Sequence, residues 1–270
     1  MTYLFAATLG VVQGLTEFLP VSSSAHLILA RAFLGVDGEA AGLGLAFDVA
    51  CHLGTLGAVL YYFRHDVGPL TVASPAGLMG GGGQRGHTVR LIAVGTVPIA
   101  ILGLLAADWL ETLREPRVVA VTLALGAIGM MVAERVHRGE RTDADLTTME
   151  ALAIGCGQAA ALVPGMSRSG TTLTVALLLG VNRVAAARFV FLMSIPAVCA
   201  AAGREALGLL EVGVPAGALG LFAVGLGVSA VVGYFTVKHL IRYLASRSLD
   251  AFAYYRFALA GVTAWLLVGP

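Results

Sequence analysis

Charge is scarce in this sequence. Of its 270 residues only 12% are Asp, Glu, Lys or Arg, against 58% that are hydrophobic, and a soluble domain cannot cover its surface with so little charge. Long polar blocks are missing too. Hydrophobic runs recur from Tyr3 to Val268, so residues 1–270 read as a single integral membrane domain with no separate soluble domain. The net charge of +1 and the lack of any Lys/Arg-rich stretch interleaved with aromatics exclude a nucleic-acid surface. Cysteine is limited to Cys51, Cys156 and Cys199, all in apolar segments and without CxxC spacing. A disulfide framework and a zinc site are thereby excluded, and the three are expected to be small core residues. The N-terminus has neither a basic region nor a small-residue cleavage signal, so the first helix is expected to stay.

What is present is a series of apolar runs of spanning length, at 43–63, 89–107, 118–136, 186–203, 216–237 and 255–268. Two further apolar stretches, 3–34 and 150–180, are interrupted. Pro20 with Ser22, Ser23 and Ser24 breaks the first; Pro164-Gly165 with Ser167, Arg168 and Ser169 breaks the second. Each half is too short to cross the hydrocarbon, and non-helical backbone at membrane depth is tolerated only in a protein interior or a watery cavity. The expectation is an all-α polytopic fold of six transmembrane helices plus two re-entrant helical hairpins.

The interrupted stretches also share a weak pattern: Gly10-x-x-Gln13, Leu19-Pro20 and serines, against Gly155-x-x-Gln158, Val163-Pro164 and Ser167. Corresponding broken segments in two halves point to inverted repeats, about 1–136 and 150–270, with a midplane site between them. Charge orients the arrangement. Arg64, Arg85, Arg90, Arg135, Arg138, Arg141, Arg183, Lys238, Arg242 and Arg247 fall on one side, and Arg31, Arg114, Arg117 and Arg204 on the other. The first side is therefore expected to be cytoplasmic and both termini outside. The glycine-rich run from Gly77 to Gly86 has no Lys-Ser/Thr after it and is expected to be a flexible cytoplasmic connection.

Arg168 carries the chemistry furthest, because an unpaired guanidinium in an apolar region is costly and calls for an anion. The segment Pro164 to Thr172 supplies a helix break followed by hydroxyls and backbone amides, which suits phosphate oxygens. Arg168 is also placed to pair with Glu17 and tie the hairpins together, and both roles stay open. In the first break Gln13 and Glu17 share a helix face, Ser22 and Ser23 follow, and His26 lies one turn beyond Ser23, spacing that suits a base near a hydroxyl nucleophile. Asp48 and His52, one turn apart, are either a metal pair or a hydrogen-bonded core pair.

These residues resemble the bacitracin-resistance family of undecaprenyl-pyrophosphate phosphatases. The family's (Glu/Gln)-x-x-x-Glu motif corresponds to Gln13 and Glu17, its Pro-x-Ser-Ser-x-x-His stretch to Pro20, Ser22, Ser23 and His26, and its Pro-Gly-x-Ser-Arg-Ser-x-x-Thr motif to Pro164 through Thr172. Further matching stretches are Phe47 to Leu60, Gly155 to Gln158 and Phe191 to Pro196. The resemblance implies a transporter-like inverted-repeat fold, a divalent cation (Mg or Ca), and removal of the terminal phosphate of undecaprenyl diphosphate, the lipid carrier of cell-wall synthesis. It implies the cell (inner) membrane, with a site opening to the outer face, and leaves a homodimer open. Mapped here, Ser23 is the nucleophile, Glu17 and His26 activate it or bind metal, and Arg168 clamps the diphosphate. Gln13, Ser22, Ser167, Ser169 and Thr172 complete the cradle. Arg188 departs from the Glu of many members, as Asp48 and His52 do from Glu and Gln. A transporter or lipid flippase is the alternative that broken helices raise, and phosphate release by purified protein separates the two.

Overall fold

The computed structural model describes residues 2–33, 44–212 and 218–268. Residue 34 of the first interrupted stretch, residue 43, and residues 216 and 217 lie outside the described residues. Among the described residues all regular structure is helical, apart from one isolated bridge between Arg141 and Val181. The helices are α1 (Tyr3–Thr16), α2 (Ser23–Phe33), α3 (Gly44–Tyr62), α4 (Arg64–Leu78), α5 (Gly83–Leu105), α6 (Ala107–Thr112), α7 (Pro116–Val136), α8 (Thr148–Ala160), α9 (Arg168–Leu178), α10 (Arg183–Val212), α11 (Ala218–Leu244) and α12 (Asp250–Val268).

Four of these are long and apolar enough to cross a bilayer: α5, α7, the Arg183–Arg204 part of α10 and the Leu219–Leu244 part of α11. Helices α3 and α12 cover the other two apolar runs, 43–63 and 255–268, as far as they are described; α12 opens on Asp250 and carries Arg256 within its run. Large apolar side chains such as Leu104, Leu105, Val121, Leu125, Phe235 and Trp265 face outward, as a multi-pass membrane protein surrounded by lipid requires.

The glycine-rich run from Gly77 to Gly86 spans the turn by which α4, ending at Leu78, packs back on α5, starting at Gly83. Its glycines permit close approach, since a Cβ on Gly86 would lie 1.9 Å from the carbonyl oxygen of Gly81 and one on Gly77 would lie 2.9 Å from the Cα of Gly86. One expectation is corrected, that of three core cysteines: only Cys51 is buried, whereas Cys156 and Cys199 face outward. They occupy the outer sides of helices whose surroundings are apolar, so burial in protein is not needed.

Both interrupted stretches break where the sequence placed them. Helix α1 stops at Thr16 and α2 starts at Ser23; α8 stops at Ala160 and α9 starts at Arg168. Ser22 and Ser167 precede the second halves with φ of 74° and 69°, a left-handed conformation that non-glycine residues adopt at a cost. Each compensates by capping. Ser22 Oγ accepts from the Ala25 amide at 3.4 Å and Ser167 Oγ from the Gly170 amide at 3.2 Å. Each hydroxyl also meets the serine two residues on, Ser24 at 3.2 Å and Ser169 at 3.3 Å. The two caps are 145 positions apart, as are Gly10 and Gly155, and Gln13 and Gln158. That spacing sets Pro20 against Gly165 rather than Pro164, a one-residue correction to the repeat read from sequence.

Packing follows the same correspondence. Helix α1 lies on α11 and α8 on α5, each through a glycine. A Cβ on Gly10 would come within 3.0 Å of the Gly225 carbonyl oxygen, and one on Gly155 within 2.3 Å of that of Gly95. Helices α3 and α10 pack on α11 and α5 in turn, α3 meets α10, and α7 meets α12. Among the described residues the largest core gathers Leu91, Ile154, Leu173, Phe189, Leu192 and Met193, and includes an aromatic run Phe18–Phe191–Phe63.

Candidate active site

The two breaks meet around Glu17. Its side chain is 6% exposed, and a carboxylate so buried must be compensated. Gln13 Nε2 and Ser23 Oγ each donate to Glu17 Oε2 at 2.8 Å. Arg168 at the start of α9 donates from Nη2 to Oε1 in an ion pair, and His52 Nε2 of α3 lies 3.5 Å from Oε2. Four elements therefore converge on one carboxylate, and the predicted pairing of Glu17 with Arg168 is formed.

The cradle residues divide by what their polar atoms do. Ser169 Oγ donates to the carbonyl of Leu19 at 3.1 Å, which joins the second break to the first. Thr172 Oγ1 donates back to the carbonyl of Arg168 at 2.6 Å. Ser22 and Ser167 are buried and committed to their caps. Glu17, Arg168, Ser169 and Thr172 line one small cleft, closed by Phe18, Phe191 and Ser194.

His26 is not brought to Ser23. Its Nδ1 lies 2.7 Å from the carbonyl oxygen of Ser22 and its Nε2 2.6 Å from the Tyr255 hydroxyl of α12. A carbonyl only accepts, so Nδ1 carries the proton and the ring is fixed as a brace between α2 and α12. The group in contact with the Ser23 hydroxyl is Glu17.

Two residues of the site were not picked out from the sequence. His52 appeared only in a pair with Asp48, yet it bonds the backbone carbonyl of Asp48, at 2.7 Å, and turns Nε2 to Glu17. Arg256 is fully buried. Its guanidinium donates to five backbone carbonyls: Pro20 at 3.4 Å, Gly165 at 2.9 Å and Met166 at 3.0 Å in the two breaks, and Thr122 and Leu123 of α7, each at 3.2 Å. Gly126 and Gly170 leave the room it needs, since a Cβ at either would come within 2.0 Å and 2.8 Å of its nitrogens. An arginine inside the last apolar span was the available signal. Arg188, the departure from the family pattern, stands away from the cleft and bonds Asp66 and Asp143, each at 2.7 Å.

The described geometry agrees with a comparison over nearly the whole chain: the model of the family described as "Bacitracin resistance protein BacA" matches residues 6–262. The chain belongs to the BacA family. Among its relatives, a protein of Rubrobacter xylanophilus named Undecaprenyl-diphosphatase is 49% identical, with 98% of each chain covered. Proteins of the same name from Pelobacter propionicus and Geobacter metallireducens are each 41% identical; the first comparison covers 100% of this chain and 99% of the relative, the second 99% of each. Within the BacA family frame, the motif residues Gln13, Ser23 and Arg168 are each brought by the fold into direct contact with a fourth, Glu17.

Proposed function

We propose that this chain hydrolyses undecaprenyl diphosphate, or a related polyprenyl diphosphate, to the monophosphate and inorganic phosphate. The observation that carries the reading is the contact of Ser23 Oγ with Glu17 Oε2 at 2.8 Å, with Arg168 on the opposite carboxylate oxygen. Ser23 attacks the terminal phosphorus as its proton passes to Glu17; the bond to the bridging oxygen breaks and the prenyl monophosphate leaves. Water then hydrolyses the phosphoserine, and the proton held by Glu17 returns to Ser23. Arg168 grips diphosphate oxygens, and the amides at the start of α9 with Ser169 and Thr172 border them. Gln13 and His52 orient Glu17, while His26 and Arg256 act as positioning residues.

In the resting site Arg168 and Glu17 neutralise each other, so an incoming diphosphate finds little net positive charge. That balance favours a divalent cation accompanying the substrate. Among the described residues no three His, Cys, Asp or Glu side chains group as a metal site, but Gln13 Oε1 is buried without a hydrogen-bond partner beside the Glu17 carboxylate. Gln13 and Glu17 thus fit the protein's share of a hard-cation site that diphosphate oxygens and water would complete. Such a cation would neutralise charge on the phosphates.

Six spans with two re-entrant hairpins, related as inverted repeats, are the topology we favour, supported by the matched caps and matched packing of α1 on α11 and α8 on α5. The arginine asymmetry supports a cytoplasmic α4–α5 connection and a site opening to the outer face of the cell membrane. The test is phosphate release from undecaprenyl diphosphate by purified protein, with and without a chelator. Release that the chelator abolishes is expected; intact substrate after incubation with folded protein and cation would overturn the reading.

A further inference from the structure

Away from the catalytic cleft, the last turns of α3 and the middle of α11 line an apolar groove of about 280 Å³ on the lipid-facing surface. Gly57 of α3 forms part of its floor, and a Cβ there would meet nothing within 4 Å. Val231 and Phe235 of α11, both exposed, form one wall. Tyr61 and Tyr234 close one end, their rings 5.5 Å apart. Over that end stand two cations. The Arg64 guanidinium lies 4.7 Å from the centre of the Tyr61 ring, and Lys238 Nζ lies 5.9 Å from that of Tyr234.

The two parts call for different halves of one ligand. An apolar trough open to the bilayer takes alkyl chain and nothing polar. Tyr61 stands one residue before the end of α3, and a tyrosine at the end of a span marks the headgroup level, where amphipathic rings settle. Two cations stacked on adjoining rings repel each other and attract an anion held between them. None of this belongs to the diphosphate site, whose cation is Arg168. We propose that the groove between α3 and α11 binds an anionic phospholipid, with an acyl chain along Gly57 and Val231 and its phosphate between Arg64 and Lys238.

The test is native mass spectrometry of the full chain released from bilayers of equimolar phosphatidylglycerol and phosphatidylcholine, which share chains and differ in net charge. The wild type should retain the anionic lipid over the zwitterionic one by on the order of tenfold, the scale set by two cations near a headgroup. Arg64→Gln with Lys238→Gln should bring that ratio close to unity. Gly57→Trp, whose Cβ meets nothing within 4 Å and whose ring would occupy the trough, should remove adducts of both lipids while phosphate release is unchanged. Equal retention of the two lipids by the wild type, or an unchanged ratio in the double variant, overturns the proposal. Slower phosphate release by Gly57→Trp also overturns it, by giving the trough to the prenyl tail of the substrate. So does loss of a dimer in that variant, which would make a second copy the occupant.

Discussion

At the first break Ser22 takes a left-handed φ of 74° and at the second Ser167 takes 69°, and both hydroxyls cap the helix that follows. The residue after the cap is Ser23 in one and Arg168 in the other. Four residues after the equivalent glutamines stand Glu17 in the first and Leu162 in the second. The same backbone thus presents a hydroxyl and a carboxylate from one side and a cation from the other. The opposite charges of Glu17 and Arg168 come from different breaks and pair where the two breaks meet. The comparison teaches that scaffold and chemistry are carried by different residues: the serines at 22 and 167 set the bend, and their successors set the reaction.

The largest effects are expected at the residues that differ between the two breaks. Ser23→Ala should reduce phosphate release by more than about a thousandfold, beyond what losing one oriented donor costs, and rapid quenching of wild type should trap phosphoserine at 23. Substantial turnover of the variant with no trapped phosphate would hand the attack to water. Arg168→Lys keeps the charge but loses the planar fork, and a loss of roughly a hundredfold in turnover is expected; near-normal rates would refute the clamp.

The matched glutamines sharpen the comparison further. Both are fully buried, but Gln13 holds Glu17 while neither polar atom of Gln158 has a hydrogen-bond partner. Gln13→Leu should cut activity by about tenfold or more, the scale of losing a bond to a charged group. Gln158→Leu should leave activity intact and raise the melting temperature, because it removes an unsatisfied buried amide at a gain of about 1 kcal/mol. Equal effects at the two positions would mean the halves share one chemistry.

The smallest effect belongs to how the hairpins begin. Helix α1 starts on a Thr2 cap, whereas α8 starts on a Thr147–Glu150 capping box reinforced by Arg141. The hydrogen bonds from Arg141 hold the Glu150 carboxyl at about 2, below its ordinary 4.5. A carboxyl lowered on folding stabilises above its unfolded value and loses that contribution as pH falls towards the folded one. The melting-temperature gap between wild type and Glu150→Gln should therefore be constant down to about pH 5 and shrink below it. A gap unaffected by acid would assign the effect to packing.

How far the sequence could be read follows from the range of the interactions. Glu17, Ser23 and Arg168 were legible because charge and hydroxyls inside apolar runs are costly without a purpose, and the breaks were legible from proline and serine. His26 was misplaced because one-turn spacing predicts a shared face, while its Nδ1 is drawn back to the Ser22 carbonyl. His52 and Arg256 reach the site only through packing of α3 and α12, separations that no local pattern records. Helix α4 is not among the expected spans; it carries Pro69 and Pro75 within it, and the glycines that follow bring it close to α5.

Arg256 has a consequence for how such a site can vary. Its bonds go to carbonyl oxygens, which every residue supplies, so the tie between the two breaks places no demand on the side chains at Pro20, Gly165, Met166, Thr122 or Leu123. What it does demand is emptiness at Gly126 and Gly170, where an added methyl would strike the guanidinium. The tie by Arg256 thus leaves the choice of side chain in the breaks to their other contacts, while two distant glycines and one arginine have to change together or not at all.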